Sequence, residues 1–178
     1  MAALPDLITV AQFRQLPEGG EFVYELHHGE VVAMTRPRAR HAELQHRLLT
    51  LLAPKLAGFG VVRIEYPYRP VAEFELRAAD VAAVSRARWE AVDLDDNLRG
   101  APDLVIEVKS PSNTQRQLQE LVALCLANGA AECWIVDPEA KSVSVIRREG
   151  AAVVYGPGKA IPLSSFGAGE LAVDEIFE

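Results

Sequence analysis

The chain has 178 residues, of which 49% are hydrophobic, and carries a formal net charge of −7 at pH 7. That apolar content excludes a disordered chain, and no apolar run is long enough to cross a bilayer. The negative charge argues against strong non-specific binding to nucleic acid, which depends on neutralising phosphates, although a local basic cleft is still allowed. We therefore expect one domain over residues 1–178.

The amino terminus, MAALPDLITV, lacks the basic segment and long hydrophobic core of a secretory signal. We expect a cytoplasmic protein on this ground. The two cysteines, Cys125 and Cys133, do not show the CxxC spacing of a structural zinc site. They are expected to be small buried hydrophobic residues.

Hydrophobic periodicity and capping residues predict two long helices and two short ones. A short helix capped by Thr9 comes first, and a long helix over residues 39–56 follows it. The second long helix has its N-cap at Ser112 or Asn113. Another short helix near residues 173–177 closes the chain.

Turn residues and β-branched runs predict a mixed sheet flanked by helices, in an α/β or α+β arrangement. The first two strands form a hairpin that turns at His28-Gly29. A polar loop over residues 85–102 leads into a buried strand at 103–110. In chain order, the predicted strands cover residues 22–26, 30–34, 61–65, 71–75, 80–84, 103–110, 132–137, 142–148 and 152–155.

The strand DLVIEVKS, residues 103–110, carries charges within an apolar run. Side chains alternate across a strand, so Glu107 and Lys109 share one face and stand about 7 Å apart along it. Asp103 lies about 13 Å from Glu107 by the same rise, too far for both to bind one metal ion. A second carboxylate must come from elsewhere, and Asp80, at the start of its own strand, is the candidate.

Two carboxylates, water and a substrate phosphate are the ligands that a small hard cation such as Mg²⁺ prefers. A lysine beside them could orient an attacking water or stabilise charge developing on a phosphate. This arrangement would suit hydrolysis of a phosphodiester. The alternative is that Glu107 and Lys109 lie on a solvated face and neutralise each other, and the triplet alone favours that alternative.

Four segments resemble one family, in order, over nearly the whole chain. They are YELHHGEVVAM at residues 24–34, His41 at a helix start, PDLVIEVKSPS at 102–112 and GAAECWIVDPEAKSVSV at 129–145. Together they resemble the Uma-two family of endonucleases, which has the restriction-endonuclease-like, or PD-(D/E)XK, fold. The resemblance implies a mixed central sheet flanked by helices, with an N-terminal hairpin, and a metal-dependent endonuclease acting on DNA.

Carried over residue by residue, the family pattern implies a metal site with a lysine beside it. Asp80 and Glu107 match the metal-binding carboxylates, and the carbonyl of Val108 adds a backbone ligand. Lys109 matches the catalytic lysine, and Glu25 matches the acidic residue that can complete the site. The implied cofactor is Mg²⁺ or Mn²⁺. Restriction-like folds often pair as homodimers, so that two sites address two strands.

Positive charge is concentrated in the run RPRARH, residues 36–41, at the start of the first long helix. Backbone N–H groups at a helix start also favour anions, so Arg38 and Arg40 are candidates for binding a phosphate backbone. His41 matches a frequent family histidine, which contacts the substrate or shapes the start of the helix. The alternative is a solvated loop with a locally bonded histidine.

The chain also departs from the family pattern. Ala79 stands where a proline usually precedes the strand aspartate. On the second long helix, Gln117, Leu121 and Cys125 replace an aspartate, a lysine and a tyrosine. Either those groups are auxiliary, or this protein is a weakened or inactive relative that binds nucleic acid or protein. A further alternative is that the charged pair serves stability alone.

Overall fold

The computed structural model describes residues 7–17, 22–111 and 113–178. A seven-stranded mixed sheet is its main element, accompanied by two two-stranded sheets. The seven strands run in the order β5-β3-β4-β6-β7-β8-β9, in the numbering that follows. The strands are β1 (Phe22–His27), β2 (Glu30–Thr35), β3 (Gly60–Arg69), β4 (Arg77–Ser85), β5 (Leu98–Arg99), β6 (Leu104–Val108), β7 (Glu132–Asp137), β8 (Ser142–Arg147), β9 (Val153–Tyr155), β10 (Ala160–Pro162) and β11 (Glu170–Ala172).

Helices cover both faces of the seven-stranded sheet. The helices are α1 (Val10–Phe13), α2 (Ala39–Lys55), α3 (Arg86–Glu90), α4 (Gln115–Ala127) and α5 (Val173–Phe177). On one face, α2 buries Leu48 and Leu52 in a core with Ile106. On the other face, α4 buries Cys125 against Val105. The predicted mixed sheet flanked by helices is confirmed, and no helix in the described ranges is long and apolar enough to span a membrane.

Strands β1 and β2 form the predicted N-terminal hairpin. Its turn residues, His28 and Gly29, have φ values of 51° and 82°, and two successive positive φ angles are typical of the turn that suits the twist of a hairpin. A bridge between Leu26 and Leu76 joins the hairpin to the segment that leads into β4. Glu25 is thereby held beside the start of β4.

The prediction of three strands between residues 61 and 84 is wrong. Strand β3 continues through Pro67, and the segment 71–75 forms a turn rather than a strand. Because β5 pairs with β3 only at Tyr68 and Arg69, most of β3 is an edge strand, where proline is tolerated. The loop predicted over residues 85–102 contains α3 and β5, and the β10–β11 pair was not predicted.

The N-cap of α4 is Thr114, whereas the sequence predicted Ser112 or Asn113. The prediction of Asn113 is wrong, and Ser112 lies outside the described residues. The hydroxyl of Thr114 accepts the backbone N–H of Gln117 at 3.2 Å, and the Gln117 side chain accepts the N–H of Thr114 at 2.9 Å. This reciprocal pair is a capping box. Asn113 instead accepts a backbone N–H from the preceding loop at 2.8 Å.

A carboxylate with three arginine partners ties the N-terminal segment to one edge of the sheet. Asp96 accepts from Arg14 at 2.5 Å, from Arg69 at 2.9 Å and from Arg99 at 2.8 Å. Burial by itself would raise the pKa of Asp96, but the N–H of Asn97 and the guanidinium groups of Arg14 and Arg69 outweigh it and hold that pKa well below its usual range. Asp96 therefore stabilises the fold in its charged form.

Replacing this carboxylate should destabilise the fold in a pH-dependent way. Asp96→Asn is expected to lower the free energy of unfolding by about 2 kcal/mol at pH 7, because Arg69 is left buried without its ion pair. A lowered folded-state pKa contributes stability above the unfolded value of about 3.9, so the difference from wild type should shrink as the pH falls below about 4. Urea titrations at several pH values measure both effects.

The matched control is Asp95→Asn, because Asp95 is the exposed neighbour in the same loop. This variant should unfold at the wild-type urea concentration. An Asp96→Asn protein as stable as Asp95→Asn at pH 7 would show that the arginine cluster contributes nothing to stability.

Candidate active site

The ladder between β3 and β4 is interrupted at one position. Pairing is continuous up to Ile64 and Val81, omits Glu65 and Asp80, and resumes with the next pair. Glu65 has a φ of 48°, a left-handed conformation that is uncommon for a residue with a side chain. The alternation of faces shifts here, because Val81 packs in the α2 core while Ala79, two residues away, packs in the α4 core. Asp80 lies where the strand changes face.

Asp80 accepts three hydrogen bonds from two directions. Its Oδ1 accepts from Nε2 of His41 at 2.9 Å and from Nε2 of Gln45 at 2.8 Å, both on α2. Its Oδ2 accepts from the backbone N–H of Val108 on β6 at 2.6 Å. The Gln45 amide also donates to Glu65, so α2 connects the two residues of the ladder interruption.

The pKa of His41 is raised, chiefly by its hydrogen bond to Asp80. Burial opposes this shift, while the negative charges of Asp80 and Glu65 support it. The imidazole therefore keeps a second proton to higher pH than a free histidine does. When protonated, the ring offsets part of the negative charge of Asp80 and Glu65.

Glu107 lies on β6, the strand next to that of Asp80. The β4–β6 pairing ends with Val81 and Ile106, and Asp80 and Glu107 are the residues that follow this last pair on the two strands. Burial is the largest cause that raises the pKa of Glu107 well above its usual range, and the charges of Asp80 and Glu25 come next. Within the described part of the chain, no hydrogen bond or ion pair reaches the Glu107 carboxylate. Glu107 is thus a half-buried carboxylic acid near other acids, and no described hydrogen bond or ion pair offsets its charge.

Glu25 reaches this region from the hairpin. Its Oε1 accepts the backbone N–H of Ala78 at 3.2 Å, at the start of β4. Its Oε2 lies 2.6 Å from Nε2 of His27. The charge of Glu25 contributes to the raised pKa of Glu107, so the two carboxylates are close enough to interact electrostatically.

The amine of Lys109 pairs with Asp137 and not with the carboxylates described above. Lys109 Nζ lies 2.7 Å from Oδ2 of Asp137, which stands beside it on the parallel strand β7. The hydrogen bond to Asp137 raises the pKa of Lys109, and the same bond lowers the pKa of Asp137. No ion pair joins Lys109 to Glu107 within the described ranges, so the two side chains do not neutralise each other. Lys109 is a half-exposed residue two positions from Glu107, and its raised pKa favours the charged amine.

The arginines of the basic run at the start of α2 are exposed. Arg36, Arg38 and Arg40 all face solvent, and none of the three forms an ion pair with a described residue. Arg38 is the N-cap of α2 and makes no side-chain capping bond. His41 is turned the other way, toward Asp80. The structure thus separates the three exposed arginines from the histidine that follows them.

The donor chemistry of the cluster fits a divalent cation. Asp80, Glu107, Glu25 and Glu65 offer the carboxylate oxygens that Mg²⁺ and Mn²⁺ prefer. Yet in residues 7–17, 22–111 and 113–178 no three acidic, histidine or cysteine side chains stand as a ready set of metal ligands. The Asp80 oxygens face N–H donors instead. Binding a cation would require the Glu107 carboxylate, which no described hydrogen bond holds, to turn toward those of Asp80 and Glu25.

Several residues of this region were not predicted from the sequence. Gln45 follows His41 by four positions, which puts both on one face of α2, and this spacing was a usable signal. Glu65 joins the cluster through a backbone conformation that no sequence pattern indicated. Asp137 meets Lys109 only because β6 and β7 are parallel neighbours in register.

The departures from the family pattern on α4 have local structural roles. Gln117 completes the capping box, and Leu121 packs at the edge of the α4 core. The Sγ of Cys125 lies 3.2 Å from the hydroxyl of Tyr68, a fully buried residue of β3. Gln117 therefore caps the helix, and Leu121 and Cys125 pack in the hydrophobic core between α4 and the sheet.

Comparison with known proteins agrees with this fold. A solved structure from Anabaena variabilis, described as "a putative nuclease belonging to DUF820", resembles the chain with a TM-score of 0.80 and 21% identity, covering 96% of this chain and 97% of that one. At that identity the likeness shows a shared fold. No curated protein sequence matches the chain. A family profile, Uma2, described as "Putative restriction endonuclease", matches residues 10–173. Because this match spans most of the 178 residues, the chain belongs to the Uma2 (Uma-two) family.

Proposed function

We propose that the protein is a Mg²⁺- or Mn²⁺-dependent endonuclease that hydrolyses phosphodiester bonds of DNA at the Asp80–Glu107 site. The observation that carries the proposal is the uncompensated carboxylate of Glu107, which with Asp80 follows the last β4–β6 pair and whose pKa the charge of Asp80 helps to raise. Burying an acid among other acids is unfavourable unless a cation or a proton neutralises it. Family membership supports nuclease chemistry for this chain.

In this proposal Asp80 and Glu107 hold the cation, with Glu25 and the carbonyl of Val108 completing its oxygen donors. A bound divalent cation would polarise the scissile phosphate and lower the pKa of a coordinated water. Glu107 must be deprotonated to serve as a ligand, so its raised pKa makes cation binding weaker as the pH falls. His41 and Gln45 keep Asp80 oriented through its Oδ1.

Lys109 contributes a fixed positive charge in this proposal. Because Asp137 raises its pKa, the amine keeps its proton and is unsuited to accept one from water. It would instead stabilise negative charge that develops on the phosphate oxygens. Its stem is half-exposed, so the amine can exchange Asp137 for a phosphate when substrate arrives.

The second candidate function is a nucleic-acid- or protein-binding module without catalysis. Three observations favour it. The amine of Lys109 is engaged by Asp137, and the described residues hold no ready set of three metal ligands. Gln117 and Leu121 also lack the charges of the family pattern. Calorimetric titration with Mn²⁺ separates the candidates, because a degenerate site takes up no Mn²⁺ at Asp80.

The first prediction concerns the carboxylates and the lysine. Lys109→Ala should lower the rate of DNA cleavage by about 10²-fold or more, because it removes charge stabilisation in the transition state. Glu107→Gln and Asp80→Asn should also abolish most cleavage, and Asp80→Asn should weaken Mn²⁺ binding. Nicking of supercoiled plasmid and cleavage of single-stranded DNA, each with Mg²⁺ or Mn²⁺, measure the rates.

Exposed residues supply the controls for these variants. Lys159→Ala and Glu149→Gln alter surface groups elsewhere in the chain and should cleave DNA as the wild type does. Wild-type rates in both Lys109→Ala and Glu107→Gln would contradict the proposed roles.

The second prediction concerns Arg38 and Arg40, exposed arginines at the start of α2 and the proposed contacts to the phosphate backbone. Arg38→Gln and Arg40→Gln should each weaken DNA binding for all sequences and reduce the slope of log affinity against log salt by about 1. Fluorescence anisotropy with labelled duplexes at several salt concentrations measures both. Arg116→Gln, which alters an exposed arginine paired with Glu120, is the matched control. An unchanged salt slope in both arginine variants would exclude the run as a phosphate contact.

The third prediction concerns assembly. The proposal includes a homodimer, implied by the family resemblance, because a two-fold pair of sites can address both DNA strands. Sedimentation velocity should show a species of twice the chain mass of 19.4 kDa. A single species at the mass of one chain would contradict the dimer while leaving the site proposal intact.

A further inference from the structure

Behind Glu25 lies a row of polar side chains that the proposed chemistry does not use. It runs from Glu75 through Arg77 and His27 to Glu25, and it connects the segment before β4 with the hairpin strand β1. Glu75 is 1% exposed and Arg77 is 9% exposed, so the far end of the row is closed to water. A buried polar row of this length must satisfy its hydrogen bonds internally.

The far end of the row is fixed. Arg77 Nε donates to Oε2 of Glu75 at 2.7 Å, and Oε1 of Glu75 accepts the backbone N–H of His28 at 2.9 Å. The guanidinium group of Arg77 is planar, so its bond to Glu75 also sets the direction of its remaining N–H groups. One of them, on Nη1, points at His27.

This contact determines which nitrogen of His27 carries its proton. Nη1 of Arg77 lies 2.7 Å from Nδ1 of His27. A guanidinium group only donates hydrogen bonds, so Nδ1 must accept and the imidazole proton lies on Nε2. Nε2 is 2.6 Å from Oε2 of Glu25, and this N–H therefore donates to the carboxylate. One oxygen of Glu25 is thus held by His27 and the other by the N–H of Ala78.

We propose that His27 is a positioning residue, which Arg77 and Glu75 orient so that its Nε2–H fixes the Glu25 carboxylate in place to bind the cation. This inference rests on the proposed function, in which Glu25 completes the cation site. A carboxylate on a hairpin outside the main sheet needs such a support, because the Leu26–Leu76 bridge fixes its backbone but not its side chain. Hydrogen bonds to ligating carboxylates tune metal affinity in the same way in other proteins.

Two substitutions separate the two bonds of His27. In His27→Asn the amide reaches about as far as Nδ1, so it can accept from Arg77 but cannot reach Glu25. In His27→Gln the longer amide can place an N–H near the position of Nε2 and donate to Glu25. A structural role, in which His27 merely satisfies Arg77, favours His27→Asn, whereas a positioning role favours His27→Gln.

The experiment is calorimetric titration of the full chain with Mn²⁺. His27→Asn should weaken Mn²⁺ binding by about 10- to 100-fold, the usual loss when a ligand-supporting hydrogen bond is removed. His27→Gln should recover most of the affinity. In a Glu25→Gln background, His27→Asn should cause no further loss, because the residue acts only through that carboxylate. His46→Gln, at an exposed histidine on α2, is the control and should bind as the wild type does.

Wild-type affinity in His27→Asn, or equal losses in the Asn and Gln variants, would overturn the inference while Mn²⁺ binding by the wild type still supports the proposed function. A wild-type protein that binds no Mn²⁺ would overturn both. Thermal unfolding monitors the fold of each variant. Should His27→Asn fail to fold, His27→Gln decides alone. Near wild-type affinity supports the positioning role, and a loss as large as that of Glu25→Gln overturns it.

Discussion

The site depends on a single omitted pair in the β3–β4 ladder, Glu65 opposite Asp80. A regular ladder would keep Asp80 on the α4 face, alternating with Val81, and out of reach of α2. The left-handed backbone of Glu65 costs about 1–3 kcal/mol, as is usual for a residue with a side chain in that conformation. The Gln45 amide, shared between Glu65 and Asp80, holds the distorted strands together. The distortion lets one carboxylate accept bonds from a helix and from the neighbouring strand at once.

Around that point the molecule gathers more negative charge than its own cations neutralise. Most buried acids of the described chain have firm partners: Asp96 has its arginines, and Glu132 accepts from Trp134 and Arg147. Glu107 has none among the described residues, although it lies on a central strand. A chain selected for stability alone would pair or replace such a group, so an uncompensated acid at this position is typical of a functional site. This cost in stability is the reason that the proposed function places a cation at Glu107.

Sequence reasoning found the strands of the candidate site and missed its contacts. The predicted strand around Glu107 is β6, which Lys109 follows directly, and Asp80 lies on the neighbouring strand β4. The direction of the Lys109 amine was beyond reach, because it depends on Asp137, which is 28 residues away and meets it through parallel pairing. The left-handed residue Glu65 was equally hidden, since its neighbours have no glycine or turn signal. Family motifs supplied the identity of the acids, but the contacts that orient them come from tertiary packing.

The unequal pairing of the arginines gives the molecule an electrical polarity. Arg14, Arg69 and Arg99 are cancelled by one carboxylate at an edge of the sheet, whereas no described residue cancels Arg36, Arg38 or Arg40 at the start of α2. In a chain of net charge −7, that start concentrates three unpaired positive charges within residues 36–40. A polyanion near the protein exerts a torque as well as a force on it, and this torque turns the start of α2 toward the polyanion. Encounters are then biased in orientation before any contact forms.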